Sequence, residues 1–446
     1  MCMQKRLAFA TMLAALTIIL AGGAPTAASE PAGGLPNVAP AMQNERFWAD
    51  KLTTGERLVM SRREIEAFNR EIRLQSLSLI FDLATYPRTL ARETLATMLR
   101  DARLPTARMY SGGVPVDGSF YERLQERLNL DGLREDNAVR YAFAVTRASI
   151  RTFPTAQGVF DSPDDSEFDV FQETVVDPAE PLLILHESSD GRWYYVQADK
   201  YRGWLAAGDA AVAPSREAWL AYAARPDFLV VTARTLQVKT GNEAKASVFE
   251  MGAKIPLAGS DDRGYRVELP TRGSGGQAVF EEAVIPAGSD VSVGYLPFTR
   301  ENFLRQAFKM RGVRYGWGGL YGGVDCSAFV MDVYRTFGVM LPRNADQQLA
   351  TAGNTRNFRG LSPAAKREIV RSLKPGAALF TVGHVALYLG EDKGRQYVIH
   401  ALPAYRDAGS REVAVMQVVV SDVALVCADG KTLLASLIGS KQYEGD

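Results

Sequence analysis

The spacing of hydrophobic positions separates a helical first part of the chain from a remainder that is richer in strands. In the first part, Ile65, Phe68 and Ile72 recur at the spacing of an amphipathic helix. Ser61 and Glu64 precede them as a capping box, which marks a helix start. Further along the chain, short aliphatic and aromatic runs alternate with turn residues, as in strands. The pattern therefore predicts an α+β chain built from several domains.

Two stretches of short strands, residues 144–215 and 226–290, each predict a small β-barrel. The expected strands are Ala148–Phe153, Pro181–His186, Trp193–Gln197 and Tyr201–Leu205 in the first stretch and Phe228–Thr232, Lys254–Leu257 and Tyr265–Leu269 in the second. Ahead of the barrels, residues 29–143 are expected to form a flexible tether, as far as Pro40, and then the helical region.

The last third of the chain, residues 296–446, is expected to pack helices on an antiparallel sheet. Asn302–Met310 predicts one helix, and the segment that begins at Ser362 and ends before Pro375 predicts another. Strand-like runs follow as far as the carboxy terminus. A further helix between the two carries the candidate chemistry.

A cysteine lies at the predicted start of that helix. A glycine-rich turn, Tyr315–Gly319, leads to Asp325 as the N-cap and to Cys326 in the first turn. The apolar residues of the helix recur at helical spacing and are Phe329, Val330, Val333 and Phe337. Because the positive end of the helix dipole lies there, we expect a lowered thiol pKa and a thiolate nucleophile.

The base that such a thiolate requires is sought among three histidines, His186, His384 and His400. The last two fall in consecutive strand-like runs, which predicts a β-hairpin. With its loop centred near Asp392, the two imidazoles face each other directly across the strands. One then serves as general base for Cys326, and the other hydrogen-bonds its far nitrogen. His186 is interpreted as structural.

Each of these residues also has a structural interpretation. A single cysteine on a helix is usually a small core residue, and a histidine in an apolar strand is usually a satisfied core residue. The combination of a cysteine behind a glycine-rich turn with both late histidines in one hairpin favours the catalytic interpretation. A zinc site is disfavoured because it needs three or four convergent ligands. No cofactor is expected.

The same stretch resembles the NlpC family of papain-like cysteine peptidases, which cut bacterial cell-wall peptides. The resemblance covers the last third of the chain. It rests on Tyr315–Gly319, Asp325–Ser327, Leu341–Arg343, Gln347, Lys374–Gly376, Gly383–Val385 and His400. The two barrels resemble bacterial SH3-like barrels, and the order of helical segment, barrels and final domain resembles that of multidomain members of the family.

The resemblance implies that Cys326 is the nucleophile, that His384 is the base and that His400 orients the base. It further implies oxyanion or substrate-binding roles for residues in or next to the motifs, namely Tyr315, Asp325, Ser327, Arg343 and Asn344. Tyr315 is similar to the family's tyrosine near the oxyanion site.

The chain departs from the family pattern at Asn344 and Ala345. Family members that take peptides with a free amino terminus often carry an acid and then a hydroxyl residue there. An amide pairs less strongly with an ammonium group than a carboxylate does. The requirement for a free amino terminus is therefore not carried over to this chain.

Charge and the amino-terminal segment bear on location and partners. Acidic and basic residues number 51 each, so bulk charge attracts neither nucleic acid nor anionic membrane. Residues 1–28 combine Lys5 and Arg6 with an apolar run and small residues, which is typical of a secretory signal peptide. Cys2 precedes the apolar run, which disfavours a lipoprotein anchor. We expect a periplasmic or secreted protein without a membrane span after signal removal.

Removal of the signal would leave two cysteines, Cys326 and Cys427. A disulfide between them would abolish the proposed chemistry. Cys427 lies in Ala424–Ala428, a run that is typical of a buried strand, so we expect both thiols to stay free.

Together these expectations describe a cysteine endopeptidase that cleaves peptidoglycan stem peptides, in intact wall or in released muropeptides. The family implies the bond between D-glutamate and a diamino acid. Two alternatives stay open. In one, the barrels bind the wall and the site is inert or closed; in the other, the same thiol and histidines transfer the acyl group to an amine instead of water.

Overall fold

The computed structural model describes residues 34–76, 79–241 and 246–444. The predicted signal peptide and Cys2 lie outside these residues. Across the described ranges, no helix is both long enough and apolar enough to cross a membrane. The first part contains helices α1 (Glu45–Ala49), α2 (Arg62–Gln75), α3 (Arg92–Arg100) and α4 (Gly118–Arg127) and strands β1 (Leu58–Met60), β2 (Thr89–Ala91), β3 (Tyr110–Ser111), β4 (Val114–Pro115) and β5 (Asp136–Ala138).

The capping box predicted at the start of α2 is confirmed. The Ser61 amide donates to the Glu64 carboxylate over 2.6 Å, and the Ser61 hydroxyl oxygen accepts from the Glu64 amide over 3.4 Å. Two unpaired amides at the helix start are thereby satisfied within the chain. Ile65, Phe68 and Ile72 are all buried, as an amphipathic helix requires.

The flexible tether expected up to Pro40 is wrong for its described part. Leu35 is buried against Leu402 and Tyr405 of the final sheet. The Tyr397 hydroxyl donates to the Asn37 carbonyl over 2.9 Å. The apolar side chain and the backbone acceptor hold this segment against the carboxy-terminal part of the chain, although its composition is that of a linker.

The first predicted barrel region forms a seven-stranded antiparallel sheet with the order β12-β6-β9-β10-β11-β7-β8. Its strands are β6 (Arg140–Ala144), β7 (Ala148–Arg151), β8 (Gln172–Val176), β9 (Pro181–Glu187), β10 (Trp193–Gln197), β11 (Arg202–Ala206) and β12 (Ala210–Val212). All four predicted strands are present, with ends that differ by at most two residues. Trp204 is buried in the core beside Tyr195.

After helix α5 (Arg216–Ala223), the second predicted barrel region forms a five-stranded sheet with the order β18-β17-β16-β13-β19 and a separate hairpin of β14 and β15. Its strands are β13 (Phe228–Val231), β14 (Thr235–Val238), β15 (Ser247–Glu250), β16 (Lys254–Asp261), β17 (Gly264–Arg272), β18 (Ala278–Pro286) and β19 (Val291–Val293). The three predicted strands of this region correspond to β13, β16 and β17. The boundaries of both barrels stay predictions.

The final part packs helices on a six-stranded antiparallel sheet with the order β21-β26-β22-β23-β24-β25. Its helices are α6 (Arg300–Lys309), α7 (Cys326–Arg335), α8 (Ala345–Ala350), α9 (Pro363–Ser372) and α10 (Leu433–Ser436). Its strands are β20 (Phe298–Thr299), β21 (Asn354–Asn357), β22 (Ala378–Thr381), β23 (His384–Asp392), β24 (Arg395–Arg406), β25 (Glu412–Asp422) and β26 (Gly439–Gln442). Strand β20 pairs with β1, which joins this part to the first.

Helix α7 packs against strands β23 and β24. Phe329, Val330 and Val333 on the helix share one hydrophobic core with Val385 and Ile399 on the strands. Because the apolar face of α7 points at the sheet, the first residue of the helix lies beside the start of β23. This packing brings the candidate nucleophile and the candidate bases to one place.

The predicted β23–β24 hairpin forms, but the predicted register is wrong by two positions. Leu387 lies opposite Ile399, and a bulge separates Tyr388 from Gly390. The same register places Ala386, rather than His384, opposite His400. Since side chains alternate with a period of two, a shift of two positions keeps both imidazoles on the same face, as diagonal neighbours.

Candidate active site

The nucleophile candidate is the first residue of α7. The Asp325 side chain accepts from the amide of Ala328 over 2.9 Å and thus caps the helix. The same carboxylate accepts from the Gly318 amide over 3.0 Å, which ties the glycine-rich turn to the helix start. Cys326 is 7% exposed, so its sulfur has narrow access to solvent. The backbone around the thiol is therefore held from both sides.

A buried cation supports this helix start. Arg343 forms a two-point ion pair with Asp325, in which Nη1 lies 3.0 Å from Oδ1. Its Nη1 also donates to the Ser327 hydroxyl over 2.9 Å, and its Nε donates to the Thr174 hydroxyl over 2.7 Å. Asp325, Ser327 and Arg343 are all buried. The structure thus brings these three predicted site residues together beside Cys326, the candidate nucleophile.

The glycine-rich turn is shaped by the seven-stranded sheet. Gly318 and Gly319 have φ of 55° and 84°, in the left-handed region that favours glycine. The Gly318 carbonyl accepts from Gln172 Nε2 over 2.8 Å, and the Gly319 carbonyl accepts from Arg147 over 2.7 Å. A Cβ on Gly318 would lie 2.7 Å from the Gln172 side chain. The turn therefore needs glycine both for its backbone angles and for this close contact.

The two late histidines are in direct contact. His384 Nε2 lies 2.7 Å from His400 Nδ1. His384 follows the β22–β23 turn, and the amide of the next residue, Val385, contacts the Cys326 sulfur. Because His400 occupies Nε2 of His384, only Nδ1 is left on that ring to exchange a proton with the thiol.

The pKa of the Cys326 thiol is raised and not lowered as the sequence predicts. Burial, and after it the negative charge of Asp325, raises the pKa of the Cys326 thiol to about 12. The amides of Val385 and Ser327 act in the opposite direction but do not outweigh burial. Burial also lowers the pKa of His384 to about 4. These shifts run opposite to the expected lowering of the thiol pKa and favour a neutral thiol beside a neutral imidazole in the resting site.

A fourth polar residue, missed in the sequence, continues the hydrogen-bonded chain. Ser421 Oγ lies 2.9 Å from His400 Nε2, and the Ser421 side chain is fully buried. Ser421 lies on β25 in an apolar run with Val418, Val419 and Val420. A polar residue directly after a run of three valines was the only available signal, and its partner could not be inferred without the sheet register.

Two other predicted site residues lie nearby. Tyr315 is buried, and its pKa is raised well above the ordinary value by burial and then by the charges of Cys326 and Asp325. Asn344 is the N-cap of α8, and its backbone amide donates to Gln347 Oε1 over 3.2 Å. Asn344 thus serves first as a helix cap.

The remaining candidates lie outside the site. His186 Nε2 contacts the Asn129 carbonyl at 3.0 Å in the seven-stranded sheet, in accordance with a structural role. Cys326 and Cys427 are both free thiols. The expected strand at Cys427 is wrong: the residue follows an isolated bridge at Val426 and packs in a separate hydrophobic cluster. Within the described part of the chain, no group of three or more His, Cys, Asp or Glu side chains could hold a metal ion.

Comparison with known proteins agrees with this architecture. Residues 312–413 match the model of the NlpC/P60 family, and residues 158–206 match the model of an SH3 domain of the SH3b1 type. The chain therefore contains an NlpC/P60 domain preceded by an SH3 domain of this type. The predicted α+β class, with a papain-like final domain behind an SH3-like barrel, is confirmed.

Two curated relatives are similar over part of the chain, and both are named gamma-D-glutamyl-L-lysine dipeptidyl-peptidase. The relative from Bacillus subtilis is 28% identical over 26% of this chain and 38% of its own length. The relative from Bacillus cereus is 25% identical over 37% of this chain and 47% of its own length. The chain thus spans less than half the length of these relatives.

A solved structure is similar over nearly the whole chain. The NlpC/P60 endopeptidase from Photobacterium damselae subsp. piscicida aligns with a TM-score of 0.72 and 17% identity. The alignment covers 89% of this chain and 96% of that one. At this identity the likeness shows a shared fold.

Proposed function

We propose that the protein is a cysteine peptidase that hydrolyses peptidoglycan stem peptides, with Cys326 as nucleophile and His384 as general base. The observation that carries the proposal is one arrangement of three residues. Cys326 begins a buried helix against the amide that follows His384, while His384 Nε2 lies 2.7 Å from His400 Nδ1. A thiol, a base and an orienting group in this order are the requirements of nucleophilic catalysis.

The neutral resting pair determines how the reaction begins. As Sγ of Cys326 attacks the carbonyl carbon of the peptide, its proton passes to Nδ1 of His384. The carbonyl oxygen becomes an oxyanion, and the nearby Tyr315 hydroxyl is the proposed donor to it. The C–N bond then breaks, the leaving amine takes the proton from the His384 imidazolium, and a thioester remains on Cys326.

The second half of the reaction regenerates the site. A water molecule gives a proton to His384 and attacks the thioester carbonyl carbon. The C–S bond breaks, the thiolate recovers the proton from His384, and the product leaves as a carboxylic acid that loses its remaining proton to solvent. Attack by an amine in place of water would transfer the acyl group instead.

The proposed bond is the one between D-glutamate and a diamino acid. The two curated relatives support this choice, since both are named gamma-D-glutamyl-L-lysine dipeptidyl-peptidase. The match of residues 158–206 to an SH3 domain model supports a wall-derived substrate. We further propose a periplasmic or secreted location, because the sequence predicts a signal peptide.

The test uses defined muropeptides, with and without a free amino terminus, and mass spectrometry of the products. Cys326→Ala should abolish cleavage, whereas Cys427→Ala, which removes the other described cysteine, should retain it. Products one water heavier in total than the substrate indicate hydrolysis, and adducts with an added amine indicate acyl transfer. Cleavage by purified Cys326→Ala protein would refute the nucleophile.

A second candidate function is binding to the wall without cleavage. Two observations favour it: the SH3 domain match and the 7% exposure of Cys326, which limits access to the sulfur. If no peptide is cleaved while both wild-type and Cys326→Ala proteins are retained on purified murein, this second function replaces the first.

A further inference from the structure

Ser421 is the last residue in a series of hydrogen bonds that starts at His384, the proposed general base. His384 Nε2 lies 2.7 Å from His400 Nδ1, and His400 Nε2 lies 2.9 Å from Ser421 Oγ. Strands β24 and β25 hold the last two residues in place. His400 lies opposite Val419, so that Ser421, two positions further, is a diagonal neighbour on the same face.

Burial restricts the protonation states of the two imidazoles in this series of hydrogen bonds. Exposed fractions of 1% for His400 and 0% for Ser421 exclude solvent from the bond between them. Burial lowers the pKa of both imidazoles, so each ring carries one proton at neutral pH. A neutral imidazole has one N–H donor and one bare nitrogen acceptor. The two rings are therefore coupled, because a donor on one must meet an acceptor on the other.

Only two arrangements satisfy both short contacts. In the first, His384 Nε2–H donates to His400 Nδ1, and His400 Nε2–H donates to the Ser421 oxygen. In the second, the Ser421 hydroxyl donates to His400 Nε2, and His400 Nδ1–H donates to His384 Nε2. The first leaves His384 Nδ1 bare, whereas the second places a proton on it and removes the base.

The first arrangement also persists through catalysis. When His384 takes the thiol proton, its ring carries N–H groups on both nitrogens, and Nε2–H still meets a bare His400 Nδ1. In the second arrangement, the same step would bring two N–H groups face to face. A hydrogen-bond acceptor at His400 Nε2 is thus needed for the base to work.

We propose that Ser421 is a positioning residue that accepts the His400 Nε2–H bond and thereby keeps Nδ1 of His384 free to take the proton of Cys326. This inference rests on the proposed peptidase function. Ser421 acts through two imidazoles and touches no substrate. Its hydroxyl supplies the acceptor without which the first arrangement would leave the His400 Nε2–H buried and unpaired.

The kinetic test compares Ser421→Ala with two controls. Ser421→Thr keeps the hydroxyl at a strand position where a β-branched residue is suited. Ser440→Ala removes a hydroxyl from an equally buried serine of the same sheet, and within the described residues that hydroxyl has no hydrogen-bond partner. We expect kcat to fall by about 10-fold or more in Ser421→Ala, with KM within about twofold, because a buried N–H loses its acceptor. Ser421→Thr and Ser440→Ala should stay close to wild type.

A second readout is independent of peptidase activity. Long-range ¹H–¹⁵N spectra of protein labelled with ¹⁵N at histidine report the tautomer of each ring, and the chain has three histidines. His186 serves as internal reference, since it lies in another sheet. We expect Nε2–H tautomers at His384 and His400 in the wild type, a shift of His400 toward Nδ1–H in Ser421→Ala, and recovery in Ser421→Thr.

A double-mutant cycle completes the test. Asparagine at position 400 presents a fixed amide that has no tautomers, so Ser421→Ala should have little further effect on kcat in the His400→Asn background. Unchanged tautomers and unchanged kcat in Ser421→Ala would overturn the proposal, as would an Nδ1–H tautomer of His400 in the wild type. If wild-type protein cleaves no peptide, the proposed function fails, but the spectra still decide whether Ser421 sets the tautomer.

Discussion

Replacing Arg343 by methionine tests whether the buried ion pair holds the start of the nucleophile helix. In the wild type, the Arg343 guanidinium contacts both carboxylate oxygens of Asp325 and the hydroxyls of Ser327 and Thr174. Methionine fills a similar volume but offers no donor. The substitution therefore leaves the Asp325 carboxylate buried without its cation, while the amides of Ala328 and Gly318 remain.

The expected loss in the free energy of unfolding follows from the burial of both Arg343 and Asp325. Their side chains are 4% and 8% exposed, so water cannot replace the lost cation. Removing one partner of a buried ion pair costs about 3–5 kcal/mol. Thr174→Val is the matched control, because it removes only the hydroxyl that accepts from Arg343 Nε and should cost about 1 kcal/mol.

The loss in the free energy of unfolding caused by Arg343→Met should also depend on pH. Burial alone would raise the pKa of Asp325, but Arg343 and the two amide bonds outweigh it and hold the pKa below its usual value. In the wild type, this carboxylate stabilises the fold above its unfolded pKa, and the contribution is lost only as pH falls through the lower folded pKa. Without the cation, burial raises the folded pKa above the unfolded one, so the variant loses stability as pH rises. The difference between the two proteins is therefore larger at about pH 7.5 than at about pH 5.

Urea unfolding at both pH values, followed by circular dichroism and by tryptophan fluorescence, measures the free energy of unfolding. Coincident transitions by the two probes are required before a single free energy is assigned to this multidomain chain. A loss below about 1 kcal/mol at pH 7.5, or an equal loss at both pH values, would refute the view that Arg343 neutralises a buried charge.

Two further predictions concern the turn and the thiol. Gly322→Ala should cost about 1 kcal/mol, because φ is 68° there and a Cβ meets nothing within 4 Å. Gly318→Ala should cost more, about 2–4 kcal/mol, because its Cβ would also lie 2.7 Å from Gln172; equal losses in thermal unfolding would contradict this contact. In a Cys427→Ser chain, the rate of Cys326 alkylation by iodoacetamide should keep rising with pH beyond about pH 9, since the thiol pKa is raised to about 12; a plateau below pH 7 would indicate a resting thiolate instead.

Local features of the site could be predicted from the sequence because they depend on neighbours along the chain. Asp325 caps α7 through an amide three residues away. The buried face of α7 followed from its helical periodicity. His384 and His400 were assigned to one face of a hairpin, and the error of two positions in register did not separate them, since side chains alternate with a period of two.

Other predictions from local sequence were wrong because contacts with distant residues changed the outcome. Leu35 packs in an apolar cluster with residues of the final sheet and holds the described part of the expected tether in place. The composition of the tether does not indicate this contact. The helix dipole was expected to lower the thiol pKa of Cys326, but burial and then the charge of Asp325 raise it. In both cases the sequence pattern describes an isolated segment, and the deciding interaction comes from residues far along the chain.

The sequence by itself thus determined helix α7, its cap and the pairing of the two histidines, because each needs contacts over a few residues or one hairpin. Only the tertiary structure decided how these parts are supported and protonated. Gln172 reaches the glycine-rich turn and Thr174 reaches Arg343 from another sheet, and Ser421 reaches His400 from the next strand. Desolvation and long-range hydrogen bonds depend on which surfaces pack together, and neither spacing nor composition records that.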